Sequence, residues 1–562
     1  MIKTFFKNGR DVLFGKQATI LSAASVLMLV GLASRILGLL RDRVLVNFFT
    51  PQNLDIYFAA ARIPNLIFDL VVAGAISTAF IPVFSEYLSR DKKEEAFTVA
   101  STLICLSLIF FLGLAVFYFI LAQKISALIA PGFTPRQVLL MSGLTRVMLA
   151  AQVFFILANF LTGIAHSFQR FIIPAISLAL YNVGIIWGTA LLSPTFGLYG
   201  PAIGTVVGAF LYLLVQLPLL KNLGFRFSWN FDYQNSGVKK IVKLMAPRMV
   251  ALFFNQIDAT VDVVLASLSS LGALTYFSFA QHLQFFPVSL FGLSIAQAAL
   301  PTLSLTADDL PEFKKTFLTT LHQMFYLVVP VSVALLVLRI PLVRLAFGAS
   351  RFNWEATVTT GYVVAGFAVS IFAQSAAYFL ARGFYALQDT RTPVIIQILS
   401  VTIGISLSMA AILIFHLPVW SLALSYSLAT FVHAGLLLIF LHRKVGGFGL
   451  SRLTIPFVKV SLASLTSGSL MYVFLKILDR SAWDQRLSFL GRLTLPANFE
   501  VFVIDTRYTI NLAFLTAFVM LIGALVYLLM SWLLKIEEAK IFLKLLRKFK
   551  LPSRSLIRCR KK

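Results

Sequence analysis

The chain has 562 residues, 59% hydrophobic and 12% charged, with a mean hydropathy of +0.89 and a formal charge of +26. Soluble domains carry about 25% charged residues, so the composition excludes an ordinary soluble domain. The basic residues sit in loops and near the C-terminus, between apolar runs, which fits positive-inside topology and attraction to anionic inner-leaflet lipid rather than nucleic acid.

About 20 apolar residues cross a hydrocarbon core of roughly 30 Å, and in lipid only helices and closed barrels satisfy their backbone. The runs here are long and do not alternate, so they read as helices. Fourteen candidate spans follow in chain order, near 18–40, 54–86, 97–122, 140–166, 172–192, 198–220, 239–266, 272–300, 316–341, 356–386, 392–415, 418–441, 455–477 and 509–535. Lys3, Lys7, Arg10 and Lys16 give the first span a signal-like flank. Its length, the want of an evident cleavage site and Arg35 within it make it a retained helix. The second, eighth and tenth spans are interrupted by Pro, Gly or polar residues, among them Pro64 and Gly74, and are predicted to kink or tilt.

Alternate loops are basic: Arg90, Lys92 and Lys93; Lys221, Arg226, Lys239 and Lys240; Arg443 and Lys444; and a tail with Lys544, Arg547, Lys548, Arg558 and Lys561. The loops near 193–199, 267–271 and 416–418 have no Lys or Arg. The positive-inside rule then places both termini in the cytoplasm. Arg41, Arg43, Arg344 and Arg351 depart from it, and the segment 478–508 is too polar to span. Cys105 in an apolar span and Cys559 in the tail suggest neither a disulfide framework nor a metal site.

The chain repeats itself at one offset. Tyr57-Phe58, Ile81-Pro82-Val83-Phe84-Ser85, Gln169 and Pro174 recur 219 positions on as Tyr276-Phe277, Leu300-Pro301-Thr302-Leu303-Ser304, Gln388 and Pro393. Six spans per copy give the copies the same orientation, a parallel repeat of the kind that holds substrate between two halves. The expected architecture is an all-α polytopic membrane protein of about 14 helices: a six-helix lobe over 1–220, a second over 221–445, two extra helices within 446–535, and a basic tail over 536–562.

Charges inside the spans are costly and usually face a bundle interior or a watery cavity. Arg35 lies deep in the first span, and a guanidinium suits phosphate. Arg41 reads equally as a second such group or, like Arg43, as a side chain snorkelling to the interface. In the second span Asp55 and Arg62 are seven apart and share a helical face. Asp55 and Asp69 read either as substrate contacts or as bridges to an arginine. In the seventh span Asp258 and Asp262 are four apart, beside Asn255. Two such carboxylates repel, so one is protonated or both share a cation. They form a candidate Na⁺ or H⁺ coupling site, with a bridge to Arg248 or Arg382 as the alternative. His282, between Gln281 and Gln284, makes a polar patch, whereas His166, His322, His416 and His433 are scattered and read as packing residues. No motif for ATP hydrolysis or other catalysis is present, so transport would run on an ion gradient or the membrane potential, with no bound cofactor.

Several strings together resemble the MurJ (MviN) lipid II flippase family of the multidrug/oligosaccharidyl-lipid/polysaccharide exporter superfamily. They are SRILGLLRD from Ser34, D-x-x-x-x-A-x-R-I-P-N from Asp55, AFIPVFSEY from Ala79, APGF from Ala130, QLPLLKNLGFR from Gln216, Q-I-x-x-x-V-D-x-x-L-A-S from Gln256, ALPTLS from Ala299 and RGFYALQDTRTPV from Arg382. The resemblance covers roughly residues 18–535. It implies a flippase carrying undecaprenyl-diphosphate-linked peptidoglycan precursor to the outer leaflet of the bacterial inner membrane, with cell-wall synthesis proteins as candidate partners. Arg35, Arg41 and Arg62 match its basic positions, Thr275 a small hydroxyl position and Asp262 its helix 7 carboxylate. The last two spans would form a groove for the lipid tail. The chain departs from the pattern at Phe68, Asp69 and Ala73, where the family has one or two arginines and then an acidic residue, and at His282, where it has an arginine. These departures mean that the head group is held differently or that the cargo is not the standard precursor. The alternatives are a cation-coupled exporter of another lipid-linked glycan or small amphipathic molecule and, in another class, a non-transporting scaffold.

Overall fold

The structure, a computed structural model, describes residues 20–70, 79–480 and 503–540. Gly74, Ala73, Cys559 and the basic tail lie outside these residues, as does the side chain of Arg248. The described chain is helical, apart from loops and one isolated bridge between Asp479 and Ile504. In order the helices are α1 (Ile20–Phe48), α2 (Pro51–Phe68), α3 (Ile81–Ser89), α4 (Lys93–Ile129), α5 (Pro135–Ser167), α6 (Ile172–Phe196), α7 (Tyr199–Leu214), α8 (Leu217–Leu223) and α9 (Ser236–Ser269). They continue with α10 (Ala273–Pro287), α11 (Ser294–Leu305), α12 (Leu310–Val337), α13 (Arg339–Phe347), α14 (Trp354–Ala368), α15 (Ile371–Ala386), α16 (Arg391–Met409), α17 (Trp420–Lys444), α18 (Leu450–Leu478) and α19 (Thr509–Leu533).

Eleven helices among the described residues are long and apolar enough to cross a membrane. The three other expected spans fall on α1, on α2 with α3, and on α9. The interrupted spans break where their sequence is irregular. A π-helical turn, Val288–Leu293, follows Pro287 and separates α10 from α11, and the chain leaves α-helix between α14 and α15. Such turns are a recognised cause of bends.

The offset of the sequence repeat reappears in the backbone. Adding 219 to the ends of α5 gives the start of α14 and the end of α15, and adding it to Ile172, where α6 begins, gives Arg391, where α16 begins. The helix starts are matched too. Thr134 and Gln137 form a capping box ahead of α5, and 219 positions on Asn353 Oδ1 accepts from Ala356 N at 2.8 Å ahead of α14. The ends match bond for bond. Arg170 N donates to Ala165 O and Gln169 N to His166 O, both at 2.9 Å; Asp389 N donates to Phe384 O at 2.9 Å and Gln388 N to Tyr385 O at 3.0 Å. Each is a Schellman closure with the glutamine left-handed, at φ +59° and +58°.

By compactness the chain forms two units. The first comprises Met1–His282, Ala346–Thr360 and Val401–Ser425; the second comprises Leu283–Leu345, Gly361–Ser400 and Tyr426–Lys562. Compactness therefore groups the chain differently from the repeat. In the first unit α6 and α7 meet through glycines spaced four apart: a Cβ on Gly184 or Gly188 would overlap the backbone of Gly208 or Gly204. Without a hydrophobic drive between helices in lipid, such close backbone approach is what holds them. In the second unit α18 and α19 pack together. Leu338, Met471, Leu475, Leu515 and Val519 form a core, Ser467 Oγ donates to Gly523 O at 2.7 Å, and Tyr527 OH donates to Tyr326 O on α12 at 2.7 Å.

Candidate functional site

All nine residues singled out as substrate or cation contacts lie in the first unit. Helix α2 positions two of them. Thr50 is extended and Pro51 starts the helix, so Asp55 comes one turn in and Arg62 two turns further along the same face.

Asp55 is fully engaged. Its Oδ2 accepts from Gly272 N at 2.7 Å and its Oδ1 from Thr275 N at 2.8 Å, and the Thr275 hydroxyl lies 2.7 Å from the same oxygen and 2.8 Å from Pro51 O. A carboxylate placed on the N–H groups that open α10 satisfies donors the helix cannot and favours the dipole. Asp55 and Thr275 thus meet each other, and these partners belong to a helix start, not to an arginine.

Arg62 reaches from α2 to α9. Its Nε donates to Thr260 Oγ1 at 3.0 Å, and its Nη2 donates to Gln256 O and Gln256 Oε1, both at 2.6 Å. Gln256 Nε2 in turn donates to Asp69 Oδ2 at 2.8 Å. The charges of Asp69, Asp258 and Asp262 all bear on Arg62, and those of Asp258 and Asp262 on each other. One guanidinium therefore stands among three carboxylates, and α9 supplies two of them on successive turns with Asn255 one residue before Gln256. This is a net-acidic, partly buried cluster, although among the described residues no three such groups are placed to hold a metal ion.

A second cluster joins α1, α6 and α10. Arg41 Nε and Nη2 donate to Asp42 Oδ1 at 2.9 and 2.8 Å, and Nη1 donates to Asn182 Oδ1 at 3.2 Å. Asn182 Nδ2 donates to Ser34 O at 3.3 Å, tying the asparagine back to α1. On its other side Asp42 Oδ2 lies 2.7 Å from His282 Nδ1. Arg41 is 17% exposed, and its guanidinium bonds inward to Asp42 and Asn182. Arg35 is partly buried and precedes Asp42 by two turns on α1. His282 stands where the resemblance expects an arginine, and it engages a carboxylate as an arginine would.

Phe68 fills its departure from the family with aromatic packing. Its ring lies 5.8 Å from Phe155, which contacts Tyr181 at 5.0 Å and Tyr212 at 5.8 Å. Arg382, one alternative partner for the α9 aspartates, lies over the Tyr385 ring at 5.6 Å in the second unit. Gln256, Thr260, Asn182 and Asp42 were absent from the expected set. The string beginning at Gln256 was the only sequence signal for the first two, and Asp42 stood in a run of three charges, Arg41 to Arg43, at the end of the first expected span.

Eleven long apolar helices among the described residues define a polytopic membrane protein, and solved structures share its fold. An inward-facing MATE family transporter of the MOP superfamily matches with a TM-score of 0.61 at 14% identity, over 76% of this chain and 98% of that one. A lipid II flippase MurJ in an inward closed conformation matches with a TM-score of 0.72 at 23% identity, over 90% of this chain and 97% of that one. The family model for lipid II flippase MurJ matches residues 46–491. A probable lipid II flippase MurJ of Buchnera aphidicola subsp. Acyrthosiphon pisum is 27% identical over 464 residues, 81% of this chain and 90% of the relative. The chain belongs to the MurJ lipid II flippase family.

Proposed function

We propose that this protein is a lipid II flippase of the bacterial inner membrane, carrying the lipid-linked peptidoglycan precursor from the inner to the outer leaflet by alternating access. The observation that supports it best is Arg62, an intramembrane guanidinium held by Gln256 and Thr260 amid Asp69, Asp258 and Asp262. Arg35, Arg41 and Arg62 supply cationic donors for a diphosphate. His282 shares Asp42 with Arg41, so a change at either residue alters how firmly the other is held. Asp258 and Asp262 take the coupling H⁺ or Na⁺, and its arrival relieves their repulsion and loosens their hold on Arg62. The carboxylates and the substrate diphosphate thereby compete for the same guanidinium, and the cation, by occupying the carboxylates, frees it for the substrate; that is the differential interaction alternating access needs. The protein makes and breaks no covalent bond in this cycle. Both termini are cytoplasmic, and the basic inner surface attracts anionic lipid and faces the cell-wall synthesis proteins that make the precursor.

The test is complementation of a bacterium whose own flippase is shut off, reading the precursor that reaches the outer leaflet. The wild-type chain is expected to restore it, Arg62→Ala to reduce it by about tenfold or more, and Asp55→Asn to act mainly through protein level. A folded, well-expressed wild-type chain that restores nothing would transfer the protein to the exporter reading, with Phe68 and His282 as the residues responsible.

A further inference from the structure

The second unit holds a cavity of about 790 Å³ apart from the clusters described above. It is lined by Lys314 and Lys315 in the first turns of α12, Arg452 and Lys459 in the first turns of α18, Lys535 just past α19, and His322 deeper in α12. Glu537 and Glu538 are the acidic residues of its lining, so five fixed positive charges face two negative ones. The negative charges do little to offset the rest. Glu538 stands 3.8 Å from His322, and Lys315 is 3.5 Å from Glu312. Among the described residues no ion pair involves Arg452, Lys459 or Lys535, and His322 Nε2 is buried without a hydrogen-bond partner.

The cavity lies where helices begin and end. Lys314, Arg452 and Lys535 fall within a few residues of the termini of apolar spans, the depth at which lipid head groups lie. Its wall also includes Leu318 and Ile455. A volume of this size suits one small ligand, and cations at the rim with apolar side chains beside them suit an anionic head joined to an acyl stem. We propose that this cavity holds the phosphate-bearing head group of an anionic membrane lipid. Arg452 supplies the planar fork that pairs two phosphate oxygens, and the lysines supply point charges around it.

Native mass spectrometry of the full-length protein in detergent tests this, with phosphatidylglycerol, phosphatidylethanolamine and inorganic pyrophosphate as separate probes. Phosphatidylglycerol is expected to be retained and phosphatidylethanolamine not. Arg452→Gln with Lys459→Gln is expected to reduce retention by about tenfold. Lys124→Gln with Arg136→Gln, which removes the same charge from exposed positions outside the cavity, is expected to leave it unchanged. A thermal midpoint for each variant verifies folding, and the two single replacements carry the test if the double one melts early. Equal retention by both double variants overturns the site. Binding of pyrophosphate without phosphatidylglycerol overturns the lipid as its source and leaves a soluble anion.

Discussion

Asp42 has no exposed surface, yet it holds a guanidinium on one oxygen and an imidazole 2.7 Å from the other. Removing one partner from a buried pair costs about 3–5 kcal/mol, because a charge is left without compensation. Asp42→Asn is therefore expected to lower the thermal midpoint in detergent more than His282→Asn does. The histidine side chain is 37% exposed and can be replaced by water, whereas Arg41 at 17% cannot. Equal losses would show that the carboxylate is not what holds the cluster. The sequence made Arg62, Asp258 and Asp262 visible because a charge in an apolar run breaks a pattern with a known energetic cost. Gln256, Thr260 and Asn182 break no such pattern, since a neutral polar side chain in a membrane helix has many uses. Asp55 was visible as a charge, but its attachment to the start of α10 depends on a contact 217 residues away that no local pattern encodes.

At the scale of the element, the join between α15 and α16 explains one family string physically. Gln388 ends one helix in the left-handed region, and Asp389 starts the next by accepting from Thr392 N at 3.0 Å while Lys444 Nζ donates to it at 2.6 Å. Burial raises the Asp389 pKa, but Lys444 and the two Thr392 donors outweigh it and hold the carboxyl at about 2. The unfolded value is about 3.9, so the stabilisation is complete above roughly pH 4 and is lost as pH falls toward the folded value. Asp389→Ala is expected to cost about 1 kcal/mol at neutral pH, with the gap from wild type closing near pH 2; thermal scans across that range measure it. A gap that persisted unchanged in acid would assign the loss to packing. Span positions were legible because apolar length is a property of one segment. The close approach of α6 and α7 was not read, although their glycines are spaced four apart, because the partner of a small-residue stripe is a tertiary fact.

At the scale of the whole molecule, the alternation of basic and uncharged loops predicts orientation. A reporter that fluoresces only in the cytoplasm is expected to be bright when fused after Lys562 and dark when inserted near residue 417, in a loop without Lys or Arg. The opposite pattern would invert the topology and with it the direction of transport. The repeat was legible from a few short strings sharing one offset, and the backbone extends that correspondence to helix starts, helix ends and their closing bonds. The grouping into two compact units was not legible, because compactness depends on packing that crosses the repeat.

The paired glutamines have a historical consequence. A left-handed residue is cheapest as glycine, yet both copies hold glutamine at this turn while differing at most positions around it. Two independent drifts into the same costly choice are far less economical than one inheritance. The paired turn therefore fits a duplicated half whose fourth span already closed on a glutamine.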